Sequence, residues 1–288
     1  MSRALGALTL SAALTCAHSW ASAAERLQEV TVTAQHSKLA KRVSKFVEHI
    51  AAPEDENGLP RWNGPICPLV LGLNQQADDL IRERIREVAH AARAPVARES
   101  CHPNLFIVVT ADPKKFLSRL STRGRINVFG DVFNACKHTS KFDIDEFIAT
   151  PRPVSIWYQT TTTDDWGRPA SGGKFCSVSS EASHILRAAL YDFSSVWVLA
   201  DYTRLGGVSA GQLADYIAMV SLAKIKPGAH LGDSPSILHL FQGKPEAAPD
   251  AMTDWDQAFL KSLYSTERRT KLQPSQIVRA MVRDIGHR

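Results

Sequence analysis

The sequence predicts an α+β fold, in which a mixed β-sheet is flanked by helices and further helices follow toward the C-terminus. Two observations support this fold class. The chain has 288 residues, of which 44% are hydrophobic and 22% charged, enough apolar material for one large domain or two small ones. Short continuous apolar runs, typical of buried strands, alternate along the chain with longer segments of helical periodicity. Such an alternation favours a layered arrangement of helices on a sheet.

Composition and charge exclude several classes of protein. Aliphatic and aromatic residues are spread along the chain, which excludes collagen, a coiled coil and general disorder. The net charge of +5 is mildly basic and lacks the dense basic stripe of a nucleic-acid-binding protein. After the first 25 residues, no apolar stretch is long enough to cross a bilayer. We therefore expect neither nucleic-acid binding nor a membrane span in the mature chain.

The first segment, residues 1–24, has the three parts of a secretory signal peptide. Arg3 supplies a positive start, residues 4–17 form a short run of apolar or small residues, and Ala21-Ser22-Ala23 offers the small residues that a signal peptidase accepts. This pattern predicts a periplasmic or secreted protein whose mature chain begins at the end of this segment.

Export would allow the remaining cysteines to form disulfides. Removal of the signal leaves Cys67, Cys101, Cys136 and Cys176, for which three pairings exist. Cys67 and Cys101 each lie at the start of an apolar run, so their positions are adjacent if the two runs are neighbouring parallel strands. This argument favours Cys67–Cys101 and leaves Cys136–Cys176. Closing the first of these loops would contribute roughly 3 kcal/mol in the loop-entropy model.

Residues 25–60 are predicted to form an N-terminal leader followed by a helix. The stretch Glu29, Val30, Thr31, Val32, Thr33 and Ala34 alternates β-branched residues, which favours an extended segment. It also resembles the TonB box, by which outer-membrane receptors contact an energy-transducing protein, so it is a candidate partner-binding segment. An edge strand or a flexible leader is the alternative. Helical spacing of apolar residues over Lys38–Ile50 predicts the helix, and the acidic, turn-rich segment Pro53–Pro60 is a linker.

A mixed α/β core domain is predicted over residues 61–250. Its first strand candidate is 66–73, and Pro68 within it indicates an edge position. The clearest helix is Gln75–Arg93, which has one apolar stripe and ends before Pro95. Leu105–Thr110 is a buried strand, and Asp112-Pro113 opens the next helix.

The second half of the chain continues with strands and helices. The predicted elements, in order, are a strand at Val154–Tyr158, a polar loop or hairpin tip at Gln159–Gly173, a helix at Ser180–Phe193, a strand at Val196–Ala200 and a helix at Ala210–Lys224. Residues 251–288 form a C-terminal helical segment packed on the core, with helices near Asp254–Tyr264 and Pro274–Ile285.

The segment 207–211 matches the pattern G-x-S-x-G of α/β-hydrolases. In those enzymes the serine lies on a tight turn that directly follows a strand, whereas here polar residues and glycine precede the motif. Ser209 followed by Gln212 is instead typical of a capping box at a helix start. We therefore predict that both residues cap a helix. The alternative is a hydrolase that uses Ser209 with Asp233 and His239.

No other motif predicts a cofactor or a metal. The zinc-protease pattern HExxH is absent from the sequence, and Cys136-Lys137-His138 with Asp143 and Asp145 matches no recurring metal site. Gly172-Gly173-Lys174 lacks the spaced glycines of a phosphate-binding loop. We therefore expect no cofactor and no metal.

Three segments resemble a group of uncharacterised exported proteobacterial proteins, and the likeness extends over most of residues 30–285. The segments are Arg61–Pro68, Cys101–Asn104 and Gly211–Val220. More remotely, the order of elements is similar to that of zincin-like domains, in which Gln212–Tyr216 would lie on the metal-binding helix. Because the histidines and the glutamate of that site are missing here, the resemblance implies a degenerate, metal-free scaffold. Neither resemblance implies a known activity.

The absence of an intact catalytic constellation favours a non-catalytic, exported binding or interaction module. A cell-envelope hydrolase using Ser209, and an accessory of TonB-dependent outer-membrane transport, are the alternatives.

Overall fold

The computed structural model describes residues 35–54, 58–98, 100–122, 137–138, 147, 149–164, 168, 189–243 and 247–286. The predicted signal peptide, the segment Glu29–Ala34 and the pair Cys136–Cys176 lie outside these residues, as do Asp143, Asp145 and the glycines at 172 and 173. For them the expectations above stay predictions.

A five-stranded mixed sheet forms the centre of the fold. Its strands are β1 (Pro68–Leu71), β2 (Leu105–Thr110), β3 (Lys137–His138), β4 (Val154–Thr163) and β5 (Leu190–Asp201). The order across the sheet is β1-β2-β5-β4-β3. The pairs β1–β2 and β2–β5 are parallel, whereas β5–β4 and β4–β3 are antiparallel. The α+β class with a mixed sheet is thereby confirmed.

The helices are α1 (35–50), α2 (Gln75–Ala92), α3 (Pro113–Thr122), α4 (Ala210–Leu222), α5 (Asp254–Ser265) and α6 (Gln273–Gly286). Short 3₁₀ turns cover Tyr202–Arg204 and Ile237–Phe241. Side-chain caps define where helices begin: Asn74 accepts a hydrogen bond from the backbone N–H of Ala77 at the start of α2, and Asp112 accepts one from Lys115 at the start of α3.

The two faces of the sheet have separate cores, because side chains alternate along each strand. In β2, Ile107 and Val109 belong to the larger core, which also contains buried residues of α1, α2, α4, α5 and α6. Val108 belongs to a smaller core on the opposite face, together with Leu117 of α3 and Trp157 of β4. The helices are therefore distributed unequally, with most of them on one face.

Helix α1 and the C-terminal helices belong to the same core as the sheet. Val43, Phe46 and Ile50 of α1 are buried, and the Phe46 ring meets Trp255 of α5 edge-on at 5.4 Å. Ile277 and Met281 of α6 are also buried in this cluster. The segments before residue 61 and after residue 250 thus contribute side chains to one continuous core.

Two predictions are wrong where the antiparallel strands β4 and β5 extend beyond their predicted ends: the start of the polar loop and the end of the helix before β5. Residues 159–163, predicted as part of a polar loop, continue β4, and residues 190–193, predicted as the end of a helix, begin β5. The threonines of β4 are polar but β-branched, and they pair with β5 from Thr160 to Thr163. Cross-strand pairing over this length therefore overrides the local pattern.

The starts of β1 and β2 are joined by a disulfide between Cys67 and Cys101, whose Cα atoms are 6.0 Å apart. Pro68 pairs with Leu105 in the parallel register, and β1 is an edge strand, which accommodates the proline. Asn104 reinforces this end of the sheet, because it accepts a hydrogen bond from Cys67 N at 2.8 Å and donates one to Pro65 O. The bridge is the one that the sequence favours.

The end of β1 depends on a glycine. Gly72 has a φ of +91°, and a Cβ atom at this position would lie 1.9 Å from the carbonyl oxygen of Val109 in β2. No L-residue with a side chain is accommodated there without a shift of the strands.

Within the described part of the chain, no helix is both long and apolar enough to cross a membrane.

Candidate functional site

Ser209 lies at the start of helix α4, where it forms a capping box with Gln212. Its hydroxyl accepts a hydrogen bond from Gln212 N at 3.1 Å, and Gln212 Oε1 accepts one from Ser209 N at 3.1 Å. Gln212 also donates from Nε2 to Pro249 O. Both side chains are therefore used to define the start of the helix.

Among the hydrogen bonds of the described residues, the other two residues of the hydrolase alternative share none with Ser209. The Nε2 atom of His239 lies 2.9 Å from the carbonyl oxygen of Ser234, and Asp233 is exposed in a turn. None of the hydrogen bonds found among the described residues joins any two of these three side chains. The geometry supports the helix cap and provides no nucleophile–base pair at this place.

Replacing Ser209 with alanine is expected to lower the free energy of unfolding by about 1 kcal/mol, because the N–H of Gln212 loses its acceptor. Urea unfolding followed by circular dichroism measures this change. Ser44 to alanine is the matched control, since Ser44 is exposed on α1 and its replacement is expected to change stability by less than ~0.5 kcal/mol. A loss of ester hydrolysis in the Ser209 variant would contradict the capping interpretation and support the hydrolase.

A cavity of about 350 Å³ lies between strand β4, the C-terminal end of α4 and the segment that follows α4. The apolar and aromatic part of its lining comes from both faces of the strand and from the helix. Among the residues that the structure describes, the lining is Ala52, Phe147, Arg152, Val154, Ile156, Trp157, Tyr158, Tyr216, Val220, Lys224, Ile225, Lys226, Pro227 and Gly228. This cavity is the candidate functional site, because concave, mostly apolar pockets with a few polar groups are typical ligand sites.

Three aromatic side chains hold the helix end that forms one wall of this cavity. The last carbonyl groups of a helix have no partner within the helix. Tyr158 Oη donates to Val220 O at 2.9 Å, Trp62 Nε1 donates to Ser221 O at 2.8 Å, and Tyr264 Oη donates to Leu222 O at 2.8 Å. The end of α4 is therefore fixed by the side chains of one tryptophan and two tyrosines rather than by a glycine cap.

The phenol of Tyr158 also binds the segment after the helix. It accepts a hydrogen bond from Ile225 N at 3.3 Å, so one hydroxyl connects the helix end with the next turn of chain. Burial raises the pKa of Tyr158, and the hydrogen bond from Ile225 only partly opposes this effect. Tyr158 is therefore a neutral donor at all physiological pH values and shapes the wall of the cavity.

The charged residues that the structure describes in the lining are Arg152, Lys224 and Lys226, all of them basic. Lys224 Nζ lies 2.6 Å from Glu54 Oε1, which also accepts a hydrogen bond from Thr160, so the charge of Lys224 is neutralised. Lys226 donates to the carbonyl oxygen of Glu48 at 2.7 Å and forms no ion pair with any described residue. Arg152 lies close enough to Tyr216 to act on its titration. The charged side chains in the described lining are therefore of one sign.

Tyr216 places a phenol inside the cavity. Its ring meets Phe241 edge-on at a centroid distance of 4.7 Å. Burial raises the pKa of Tyr216 to about 12, and the positive charge of Arg152 opposes the shift. Its hydroxyl forms no hydrogen bond with the residues that the structure describes. It is therefore a neutral donor that a ligand can use.

No family model, no curated protein and no solved structure matches the chain. The resemblances to exported proteobacterial proteins and to zincin-like domains therefore stay predictions. Among the described residues, no group of three or more His, Cys, Asp and Glu side chains is arranged to hold a metal ion.

The sequence analysis did not select the residues that line the cavity. Arg152, Tyr158, Tyr216 and Lys226 belong to no local motif, and they are brought together only by the packing of β4 against α4. The one local signal is Tyr216 itself, which is a polar aromatic residue directly before the apolar run Ile217–Val220 of α4. A tyrosine on a buried helix face needs a partner for its hydroxyl, so it is a reason to look for a polar cavity.

Proposed function

We propose that this protein is a non-catalytic, exported binding module, and that its ligand is a small organic molecule with an apolar body. The observation that carries the proposal is the cavity between β4 and the end of α4. Its volume of about 350 Å³ is within the range of small-molecule sites, which is roughly 300–1,000 Å³. Its described lining is mainly apolar and aromatic, with the phenols of Tyr158 and Tyr216 and three basic side chains as its main polar groups.

The walls of the cavity are preformed. Val154, Ile156 and Tyr158 lie on a strand that is paired with β5 along its whole length. Val220 lies at the end of α4, where the side chains of Trp62, Tyr158 and Tyr264 donate hydrogen bonds to the last carbonyl groups. A ligand would therefore find its site already shaped, which reduces the ordering cost of binding.

The chemistry of the lining favours binding over hydrolysis. Among the described lining residues there is no serine, threonine, cysteine, histidine, aspartate or glutamate. Hydrolysis by a nucleophile requires such a group together with a base that activates it. Lys224, which could in principle react, is held in an ion pair with Glu54.

A fluorescence titration with N-phenyl-1-naphthylamine, a neutral apolar dye, tests the proposal. We expect the folded protein to enhance the emission of this dye with saturable binding. Ile156 to tryptophan fills the cavity from the side of the sheet, so it is expected to weaken binding at least tenfold, about 1.4 kcal/mol. Ile285 to tryptophan, a half-buried site on α6 outside the cavity lining, is the control and is expected to bind as the unchanged protein does.

Circular dichroism and urea unfolding establish that both variants are folded before their titrations are compared. The absence of saturable binding by the unchanged protein, or equal weakening by both tryptophan variants, would contradict the proposed site.

A further inference from the structure

We infer that the protein binds the surface of an anionic phospholipid bilayer through a basic face formed by helices α1 and α6. The basic face consists of Lys41 and Lys45 of α1 and Arg279 and Arg283 of α6. The inference goes beyond the proposed function and does not depend on it. It is carried by the arrangement of these charges and by an exposed leucine in line with the two arginines.

Helices α1 and α6 lie side by side and run in opposite directions. Ser44, in the second half of α1, lines a groove together with Ser275, at the start of α6. At the other end of the pair, the side chain of Leu39 lies 3.8 Å from the place where a Cβ atom of Gly286 would be. The outer sides of the two helices therefore border one continuous surface.

The four cations of the basic face point away from the core. Lys41 and Lys45 are exposed and one turn apart, and so are Arg279 and Arg283. A spacing of four residues places the members of each pair on the same side of their helix. None of the four forms an ion pair with a residue that the structure describes. Lys226, which is also exposed, adds a positive charge to the groove between the helices.

Two carboxylates lie near these cations and do not outweigh them. Glu48 lines the groove between the helices, and Glu267 lines a neighbouring groove together with Arg279 and Arg283. Positive charge remains in excess across the basic face, so this surface attracts an anionic partner and repels a cationic one. An anionic bilayer presents a field of negative headgroups over an area as wide as two neighbouring helices.

An exposed leucine favours a bilayer over a nucleic acid as the partner. Leu272 directly precedes α6 and is 52% exposed. Its carbonyl group accepts a hydrogen bond from Gln276 N, so helical hydrogen bonding extends to this residue. Helical spacing then places Leu272 on the same side as Arg279 and Arg283. A bilayer interface accepts an apolar side chain together with cations, whereas the phosphate backbone of a nucleic acid offers no apolar region.

Co-sedimentation with two kinds of vesicle tests the inference. One kind is made of phosphatidylcholine, and the other contains equal parts of phosphatidylcholine and phosphatidylglycerol. We expect the full chain to bind the anionic vesicles at least tenfold more strongly at low ionic strength, and to be released at about 0.5 M NaCl because salt screens exposed charges. A retained signal peptide would bind both kinds, so the measured quantity is the ratio of the two partition coefficients.

Three variants locate the binding surface. Lys41→Gln with Lys45→Gln removes two charges from α1, and Arg279→Gln with Arg283→Gln removes two from α6. One Lys or Arg near an anionic bilayer strengthens binding roughly fivefold. Each double variant is therefore expected to lower the ratio at least fivefold. Leu272→Ser is expected to weaken binding to the anionic vesicles at least twofold.

Matched controls change equal groups elsewhere. Lys114→Gln with Lys115→Gln removes two exposed charges from α3, a helix that packs on the opposite face of the sheet, and is expected to change the ratio less than twofold. Leu80→Ser is the control for the leucine, since Leu80 is 43% exposed on α2. Circular dichroism establishes that every variant is folded.

Equal binding to the two kinds of vesicle, or equal losses in the α3 variant and the two variants of the basic face, would overturn the inference. A fluorescently labelled oligonucleotide and a labelled oligoglutamate peptide are titrated in parallel. If the variants of the basic face weaken binding of either probe and leave vesicle binding unchanged, the face binds a polyanionic macromolecule and the inference is overturned. All of these outcomes leave the proposed cavity to its own dye titration.

Discussion

Replacing Gly72 with alanine is expected to lower the free energy of unfolding by about 4 kcal/mol, which places it among the most damaging single substitutions. Two effects add together. The φ of +91° is unfavourable for any residue with a Cβ atom, and that atom would lie 1.9 Å from the carbonyl oxygen of Val109. Backbone contacts of this kind cannot be relieved by a side-chain rotation, so β1 and β2 would have to move apart.

Gly64 to alanine is the matched control, because a Cβ atom there meets no other atom within 4 Å. Its replacement is expected to change the free energy of unfolding by less than ~0.5 kcal/mol. The midpoint of urea unfolding compares the two variants. If Gly72 to alanine unfolds at nearly the same urea concentration as Gly64 to alanine, the result would contradict the close contact between Gly72 and the carbonyl oxygen of Val109.

Removing the Cys67–Cys101 bridge is expected to lower the free energy of unfolding by about 3–4 kcal/mol, the value that the loop-entropy model gives for a sequence separation of 34 residues. The bridge restricts the unfolded chain, so its removal makes the unfolded state more favourable. Urea unfolding of a double variant, Cys67 to alanine with Cys101 to alanine, measures the loss. The unchanged protein in the presence of dithiothreitol is expected to lose at least as much.

The double variant is also measured with and without dithiothreitol. Sensitivity to the reductant that remains in this variant would show the predicted Cys136–Cys176 bridge, whose residues lie outside those that the structure describes. An unchanged protein that is insensitive to the reductant, together with a double variant of equal stability, would contradict the stabilising role of Cys67–Cys101.

Elements with strong local signals could be predicted from the sequence. Helix α2 has an apolar stripe, a capping asparagine and a proline just beyond its end, and the structure differs from the prediction by one residue. The capping residues Ser209 and Gln212 are only three positions apart in the chain, so their pattern is sufficient to predict their hydrogen bonds. The parallel pairing of β1 with β2 could be predicted because a single helix joins the two strands. This pairing places Cys67 beside Cys101.

Features that depend on distant residues could not be predicted in this way. The ends of β4 and β5 are determined by their pairing with each other, and a local reading of Thr160–Thr163 indicates a polar loop instead. The cavity depends on residues from three regions of the chain, such as Ala52, Tyr158 and Tyr216. Their separation leaves no spacing to recognise, so the site emerges only from the tertiary structure.

The three aromatic side chains that donate hydrogen bonds to the end of α4 determine how stability is distributed in this part of the molecule. Trp62, Tyr158 and Tyr264 are 159, 62 and 42 residues away from the carbonyl groups that they bind. The final turn of this helix therefore has no autonomous stability, because its hydrogen-bond partners exist only when distant parts of the chain are in place. Opening of that turn is coupled to cooperative unfolding of the whole domain, and it does not fray independently as exposed helix ends do.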